Sequence, residues 1–192
     1  MNEYKNIIIG AGAAGLFLSA LLDNSNTLVL EKNPYPGKKL NITGKGRCNI
    51  TNACPKEDIF GEIFTNQKFV YSAINDFDNK RTVDFFNDRN LKTKVERGGR
   101  IFPLSDNARD VTDCLYKNNS CVFKFNEYVR KIEKNGEKFI ILTDSEKYYC
   151  KNLSKNIFFR TCICNITSPV PRYIKFFTWI WILFKNKSVR II

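Results

Sequence analysis

An α/β fold, a parallel sheet with a βαβ glycine turn and a small appended β-meander, is what this sequence predicts. Three observations carry the prediction. A short apolar run, Ile7-Ile8-Ile9, passes at once into Gly10-Ala11-Gly12-Ala13-Ala14-Gly15. Leu16, Phe17, Ala20 and Leu21 then continue at helical spacing. A second apolar run, Thr27-Leu28-Val29-Leu30, ends on Glu31. Strand, glycine turn, helix, strand is the order of a βαβ unit, whose strands are buried on both faces and so read as unbroken apolar runs.

The glycines are placed where the geometry of such a turn needs them. Gly10 permits the tight turn, Gly12 removes a side chain that would keep backbone away from a pyrophosphate, and Gly15 lets the helix lie close on the strand. The helix N-terminus then faces the phosphates with its N–H groups. Glu31 follows the first glycine by about 20 residues, the separation at which an acid meets ribose hydroxyls. These residues predict a Rossmann-like adenine dinucleotide site. The alternative is a βα turn that binds nothing.

Composition bounds the rest. At 192 residues the chain can bury a real core, and its length fits one domain with an appendage. It contains no histidine, which removes histidine general bases, Ser-His and Cys-His nucleophile pairs and most transition-metal sites, so no metal is expected. Seven cysteines without a CxxC pair, and no visible secretory signal, read as reduced thiols of a cytoplasmic protein. The net charge is +12, but residues 147–192 hold nine Lys or Arg and no acid, leaving 22 basic against 19 acidic residues in the first 146. The basicity belongs to the tail.

In chain order, a polar loop covers Lys32 to Pro55, and Ile59 to Arg89 reads as helix, with Phe69, Ala73 and Phe77 four residues apart. Asn90 is placed to end that helix in a left-handed conformation. Leu91 to Val95 reads as a strand broken at Gly98-Gly99, and Ser105 or Asp106 as the cap of a helix bearing Val111 and Leu115. Cys121 to Phe125 is a strand. Tyr128 to Ile132 and Lys138 to Thr143 form a hairpin across Asn135-Gly136, a dipeptide suited to a type I′ turn, with Tyr148-Tyr149 as a third strand. After about residue 152 the periodicity is lost. Residues 153–192 read as a basic tail not selected to pack, and its apolar stretch Phe176 to Phe184 is too short to span a membrane. Interfacial anchoring between Lys175 and Lys185 is the alternative for that stretch.

The most distinctive run is Gly37-Lys38-Lys39-Leu40-Asn41-Ile42-Thr43-Gly44-Lys45-Gly46-Arg47-Cys48-Asn49-Ile50-Thr51-Asn52. Its glycines expose backbone N–H groups, and Lys39 and Arg47 supply positive charge, so it reads either as an anion-binding concavity or as a solvated surface loop. Together with Gly10 to Gly15, Glu31 and the segment Glu96 to Ala108, it closely resembles the BaiN-type family of bacterial NAD(P)/FAD-dependent oxidoreductases, over roughly residues 4 to 152. The resemblance implies a Rossmann-like FAD-binding domain. It implies that Gly10, Gly12, Ala13, Ala14 and Gly15 carry the FAD pyrophosphate, and that Glu31, with Lys32 alongside, accepts from the adenosine ribose. Lys39 and Gly46, Arg47, Cys48 and Asn49 would line the flavin side, and the backbone of Val129 would meet the adenine. Cys48 is expected as a packed, inert thiol. The catalytic residues and the substrate are not implied.

Family members are roughly twice this length. The Ala-Thr-Gly-Gly turn and the Thr-Gly-Asp-Gly-Tyr segment that they carry after the hairpin are missing here, so the FAD-binding fold is expected to be incomplete. Trp179-Ile180-Trp181-Ile182 is encoded TGG-ATN-TGG-ATN, which one base along begins Gly-x-Gly. A frameshifted or degenerate reading frame is therefore expected for the tail. Two functional classes stand. One is the FAD-binding portion of a flavin-dependent oxidoreductase using NAD(P)H, weakly active or inactive alone. The other is a non-catalytic nucleotide-fold protein that binds nucleic acid or anionic membrane through its basic aromatic tail.

Overall fold

The computed structural model describes residues 2–61 and 67–155. The chain runs β1 (Glu3–Ile9), α1 (Ala13–Leu22), β2 (Thr27–Leu30), β3 (Thr51–Asn52), α2 (Lys56–Gly61), α3 (Gln67–Asp76), α4 (Asn79–Asn87), β4 (Thr93–Glu96), β5 (Arg100–Pro103), α5 (Ala108–Lys117), β6 (Val122–Lys124), β7 (Val129–Asn135), β8 (Lys138–Thr143) and β9 (Lys147–Lys155). These elements fall into two units, residues 2–39 with 115–155 and residues 40–61 with 67–114. The expectations for Phe176 to Phe184 and for a shifted reading frame concern residues outside the described ones.

The first unit is the predicted α/β sheet. Its six strands lie in the order β6-β2-β1-β9-β8-β7. β6, β2, β1 and β9 run parallel, and β9, β8 and β7 form the antiparallel meander. Ile7 stands beside Leu28 on one side and Leu153 on the other, as a doubly flanked central strand requires. One cluster of this core is Ile7, Leu28, Leu30, Ile141, Tyr148 and Cys150. Tyr148 is the largest fully buried side chain among the described residues, and its hydroxyl accepts from the Lys124 ammonium at 3.1 Å. Burial pushes the Tyr148 phenol up to about 12.

β9 does more than the sequence implied. Lys147 to Cys150 pairs with β8, while Tyr149 to Lys155 runs beside β1. One strand therefore closes the meander and widens the parallel sheet. The hairpin turn also differs from the prediction. Asn135 pairs with Lys138, so the loop is Gly136-Glu137 with positive φ at Gly136 only, the pattern of a type II′ turn. Asn135 stays in the strand because its pairing with Lys138 completes the ladder, and glycine alone takes the left-handed position.

The second unit has a three-stranded antiparallel sheet, β3-β5-β4, with α2, α3 and α4. The single helix expected over Ile59 to Arg89 is divided between α3 and α4. Asp78 ends the ladder because its backbone is extended (φ −81°, ψ −173°) and its carboxylate caps the next helix, accepting from the Arg81 N–H at 2.9 Å. Asn90 is left-handed as expected, with φ 62°. Leu91 N–H reaches Phe86 O and Asn90 N–H reaches Asn87 O, both at 3.0 Å, which is a Schellman closure with Leu91 and Phe86 both buried. Leu91 thus belongs to the helix end, and the strand begins at Thr93. The cap of α5 is neither Ser105 nor Asp106 but Asn107, whose Oδ1 accepts from Arg109 N–H at 3.0 Å. The Asp106 carboxylate is already engaged by Arg47 and Lys94.

Candidate dinucleotide site

The glycine turn forms as its residues dictate. Gly10 takes φ 99°, and its N–H donates to Leu30 O at 2.7 Å, which locks the end of β1 to β2. A Cβ on Gly15 would lie 1.9 Å from Gly10 O, so only glycine lets α1 approach the strand this closely. Gly12 stands at the N-cap of α1, and no side chain caps the helix. The first-turn N–H groups of α1 consequently have no partner within the helix, and the positive end of its dipole stands beside the turn.

Glu31 is buried, at 7 % exposure. Its Oε2 accepts from Ala11 N–H at 2.7 Å, and its Oε1 accepts from Asn33 N–H at 2.9 Å and from the Asn33 side chain. The carboxylate therefore sits against the glycine turn itself. A carboxylate accepts about four hydrogen bonds, so Oε2 has capacity for one more. Asn33 escaped sequence reasoning, although an amide two residues beyond a carboxylate is the local signal that finds it. Lys32 and Lys39 are exposed. Val129 opens β7 opposite Thr143, with its side chain against the core cluster. The chain approaching Val129 lies along Glu31, because Glu127 N–H donates to Glu31 O at 2.9 Å and Asn126 N–H to Asn33 O at 3.2 Å.

The Gly44-to-Asn49 loop belongs to the second unit. Gly44, Lys45, Gly46 and Cys48 all have positive φ, between 56° and 84°. A Cβ on Gly44 would lie 3.0 Å from Asn49 N. Thr43 Oγ1 donates to Leu40 O at 2.7 Å and Cys48 N–H to Thr43 O at 3.0 Å, so the loop is wound on itself. Arg47 is bound on several sides: Nε donates to Asp106 Oδ1 at 2.8 Å, Nη2 reaches both Asp106 and Glu96, and the guanidinium lies 4.2 Å from the Phe102 ring centre. Lys94 joins the same pair of acids. Arg47 holds the Glu96 carboxyl below the usual carboxylate range, and Lys94 followed by Arg47 does the same for Asp106. Depressed carboxylate pKa values make this network stabilising at neutral pH, and its contribution is lost as pH falls through them.

Asn49 is buried, with its amide turned so that Nδ2 donates to Thr51 O at 2.9 Å and Ile101 O at 3.1 Å. Asn52 and Asn79 do similar work: Asn52 Nδ2 donates to Gly98 O at 2.7 Å, and Asn79 Nδ2 to Asn52 O at 2.6 Å. Cys48 is 1 % exposed, and burial pushes its thiol up to about 12. We expect Cys48 to resist iodoacetamide at pH 8 in the folded chain and to react after denaturation. Peptide mapping that finds Cys48 alkylated in the native protein would contradict the packing. Among the described residues, no group of three or more His, Cys, Asp or Glu side chains is placed to hold a metal, and no helix is long and apolar enough to cross a membrane.

A parallel sheet entered through a glycine turn, with a buried acid at the end of the second strand, defines a Rossmann-type nucleotide domain. Comparison with known proteins agrees. The chain belongs to the family described as the HI0933-like protein Rossmann domain, whose model matches residues 4–154. It is 28% identical over 158 residues to the ribosomal RNA dihydrouridine synthase of Escherichia coli, covering 80% of this chain and 39% of that protein. It is 30% identical over 149 residues to the 3-dehydro-bile acid delta(4,6)-reductase of Clostridium scindens, covering 73% of this chain and 36% of that one. The chain thus spans under two fifths of the length of either relative. Among solved structures, the open form of a flavocytochrome c3 fumarate reductase aligns with TM-score 0.49 and 14% identity, over 80% of this chain and 33% of that one. The family membership expected from the glycine turn and the Gly44-to-Asn52 run is therefore met.

Proposed function

We propose that the first unit holds the adenosine-diphosphate half of FAD, and that the chain is the FAD-binding portion of a flavin-dependent oxidoreductase with NAD(P)H as electron donor. The observation that carries this reading is the uncapped N-terminus of α1 with the Glu31 carboxylate fixed against Ala11 N–H. The N–H groups of Ala13, Ala14 and Gly15 bind the pyrophosphate, helped by the helix dipole. Glu31 Oε2 accepts a ribose hydroxyl, and the Val129 backbone borders the adenine. The free N–H groups at the α1 N-terminus suit an anion and the Glu31 carboxylate suits a hydroxyl, so the residues present fit this half of the cofactor. When bound, the flavin supplies hydride acceptance and release, while the protein supplies position and electrostatics. One relative bears the name of a reductase, which agrees with this class.

The test is a flavin titration of the purified chain, followed by its visible spectrum after desalting. We expect FAD to bind, to be stripped on desalting, and to support no NAD(P)H oxidation by this chain alone. Unchanged flavin fluorescence at saturating protein would overturn the cofactor assignment. Stoichiometric flavin surviving the column would overturn the weak retention.

A further inference from the structure

Beside Glu31 lies an aromatic side chain that the glycine turn and the acid do not account for. Tyr128 is 45 % exposed, although the residues on either side of it take part in the fold: Glu127 N–H bonds Glu31 O, and Val129 packs on the core. Two cations stand over its ring. The Arg130 guanidinium lies 4.3 Å from the ring centre, and Arg130 is itself fixed by Asp144, with Nε to Oδ1 at 2.6 Å and Nη2 to Oδ2 at 2.9 Å. The β7–β8 pairing slips by one residue between Val129 and Lys131, so Arg130 is the bulged residue. A bulge re-aims a side chain out of the ladder, here toward the Tyr128 ring and Asp144. Two residues past the end of β2, the Lys32 ammonium stands 5.9 Å from the same ring. An exposed tyrosine clamped by a salt-bridged arginine, with a second cation beside it, is an electropositive stacking surface next to a ribose-type acid.

Resting on the FAD reading above, we propose that Tyr128 is the wall against which the adenine ring of the nucleotide stacks, with Arg130 and Asp144 as positioning residues that set the ring. Stacking needs a flat π-face and little else, so the clamp converts a flexible surface tyrosine into a preformed platform. Lys32 adds charge toward the phosphates of the same ligand. The assigned ligand is an adenine nucleotide, and the simplest probe is ADP.

The experiment is calorimetric titration of ADP and of FAD into the full chain, its Tyr128→Ala form and its Tyr128→Trp form, with thermal melting of the free proteins alongside. Because Tyr128 is exposed, all three should melt together. We expect Y128A to bind both ligands about ten-fold or more weakly, and Y128W to stay within about two-fold of the parent. Equal binding by parent and Y128A would overturn the stacking role and leave the FAD reading intact. Absence of ADP and FAD binding by the parent would overturn the FAD reading and the stacking role with it. If Y128A weakens binding and Y128W does not restore it, the aromatic wall is likewise overturned.

Discussion

Gly15→Ala is expected to lower the folding stability of the chain by about 3 kcal/mol or more, at the upper end of what overpacking costs. The new Cβ would stand 1.9 Å from Gly10 O, 3.1 Å from Gly10 C and 3.3 Å from Ile8 Cγ2. A flexible side-chain tip can retreat from such a contact, but here the two nearest atoms are backbone. That backbone is not free to move either, since Gly10 N–H is bonded to Leu30 O at 2.7 Å and Ile8 is paired on both sides, with Val29 and with Ser154. Relief therefore means moving α1 off the sheet, with Leu16 and Phe17, both fully buried, carried along. Urea unfolding followed by circular dichroism reads the effect directly. A midpoint within about 0.5 M of the parent would mean that α1 does not lie against the turn as described.

Glu31→Gln is the second large effect, and it acts on fold and ligand together. The carboxylate accepts three N–H bonds in a buried position. An amide has one accepting oxygen, so its NH₂ must face either Ala11 N–H or the Asn33 donors, setting donor against donor. Losing one charge-assisted bond and leaving one buried donor unpaired costs about 2–3 kcal/mol. The carboxylate acceptor beside the turn is replaced or displaced at the same time, so ADP affinity is expected to fall about ten-fold or more. Unfolding and ADP titrations on one preparation separate the two effects. Full retention of both would show that the carboxylate is not the group that joins the turn to β2.

Much of the first unit was legible in the sequence because its signals are local. Three consecutive isoleucines, a glycine turn and a helical apolar spacing each state a backbone preference within a few residues. The structure contains β1, the turn, α1 and β2 in that order. The hairpin and the left-handed Asn90 were legible for the same reason. What the sequence misplaced were competitions between neighbours with similar chemistry. Asp78 divides the predicted helix because its carboxylate caps α4 better than it continues the run, and Asn107 takes the cap of α5 because Asp106 is claimed by Arg47 and Lys94. Those partners are 59 and 12 residues away from Asp106, so no local window contains the reason.

The candidate site divides along the same line. Gly15 is demanded by contact with Gly10, whereas Gly12 has φ −79°, a backbone that any residue adopts. In the sequence Arg47 supplies positive charge to its loop, and the resemblance sets Arg47 and Asn49 on the flavin side. The fold engages Arg47 with Asp106 and Glu96, and Asn49 with the carbonyls of Thr51 and Ile101. Tyr128 carried no sequence signal at all, since its role depends on a bulge at Arg130 and a carboxylate at Asp144. The sequence by itself determined the βαβ unit, its glycine turn and the acid that follows, because backbone sterics and strand burial act over short distances. Only the tertiary structure decided which charges are spent on the fold and which face outward, because every polar side chain takes the best partner that folding brings within reach.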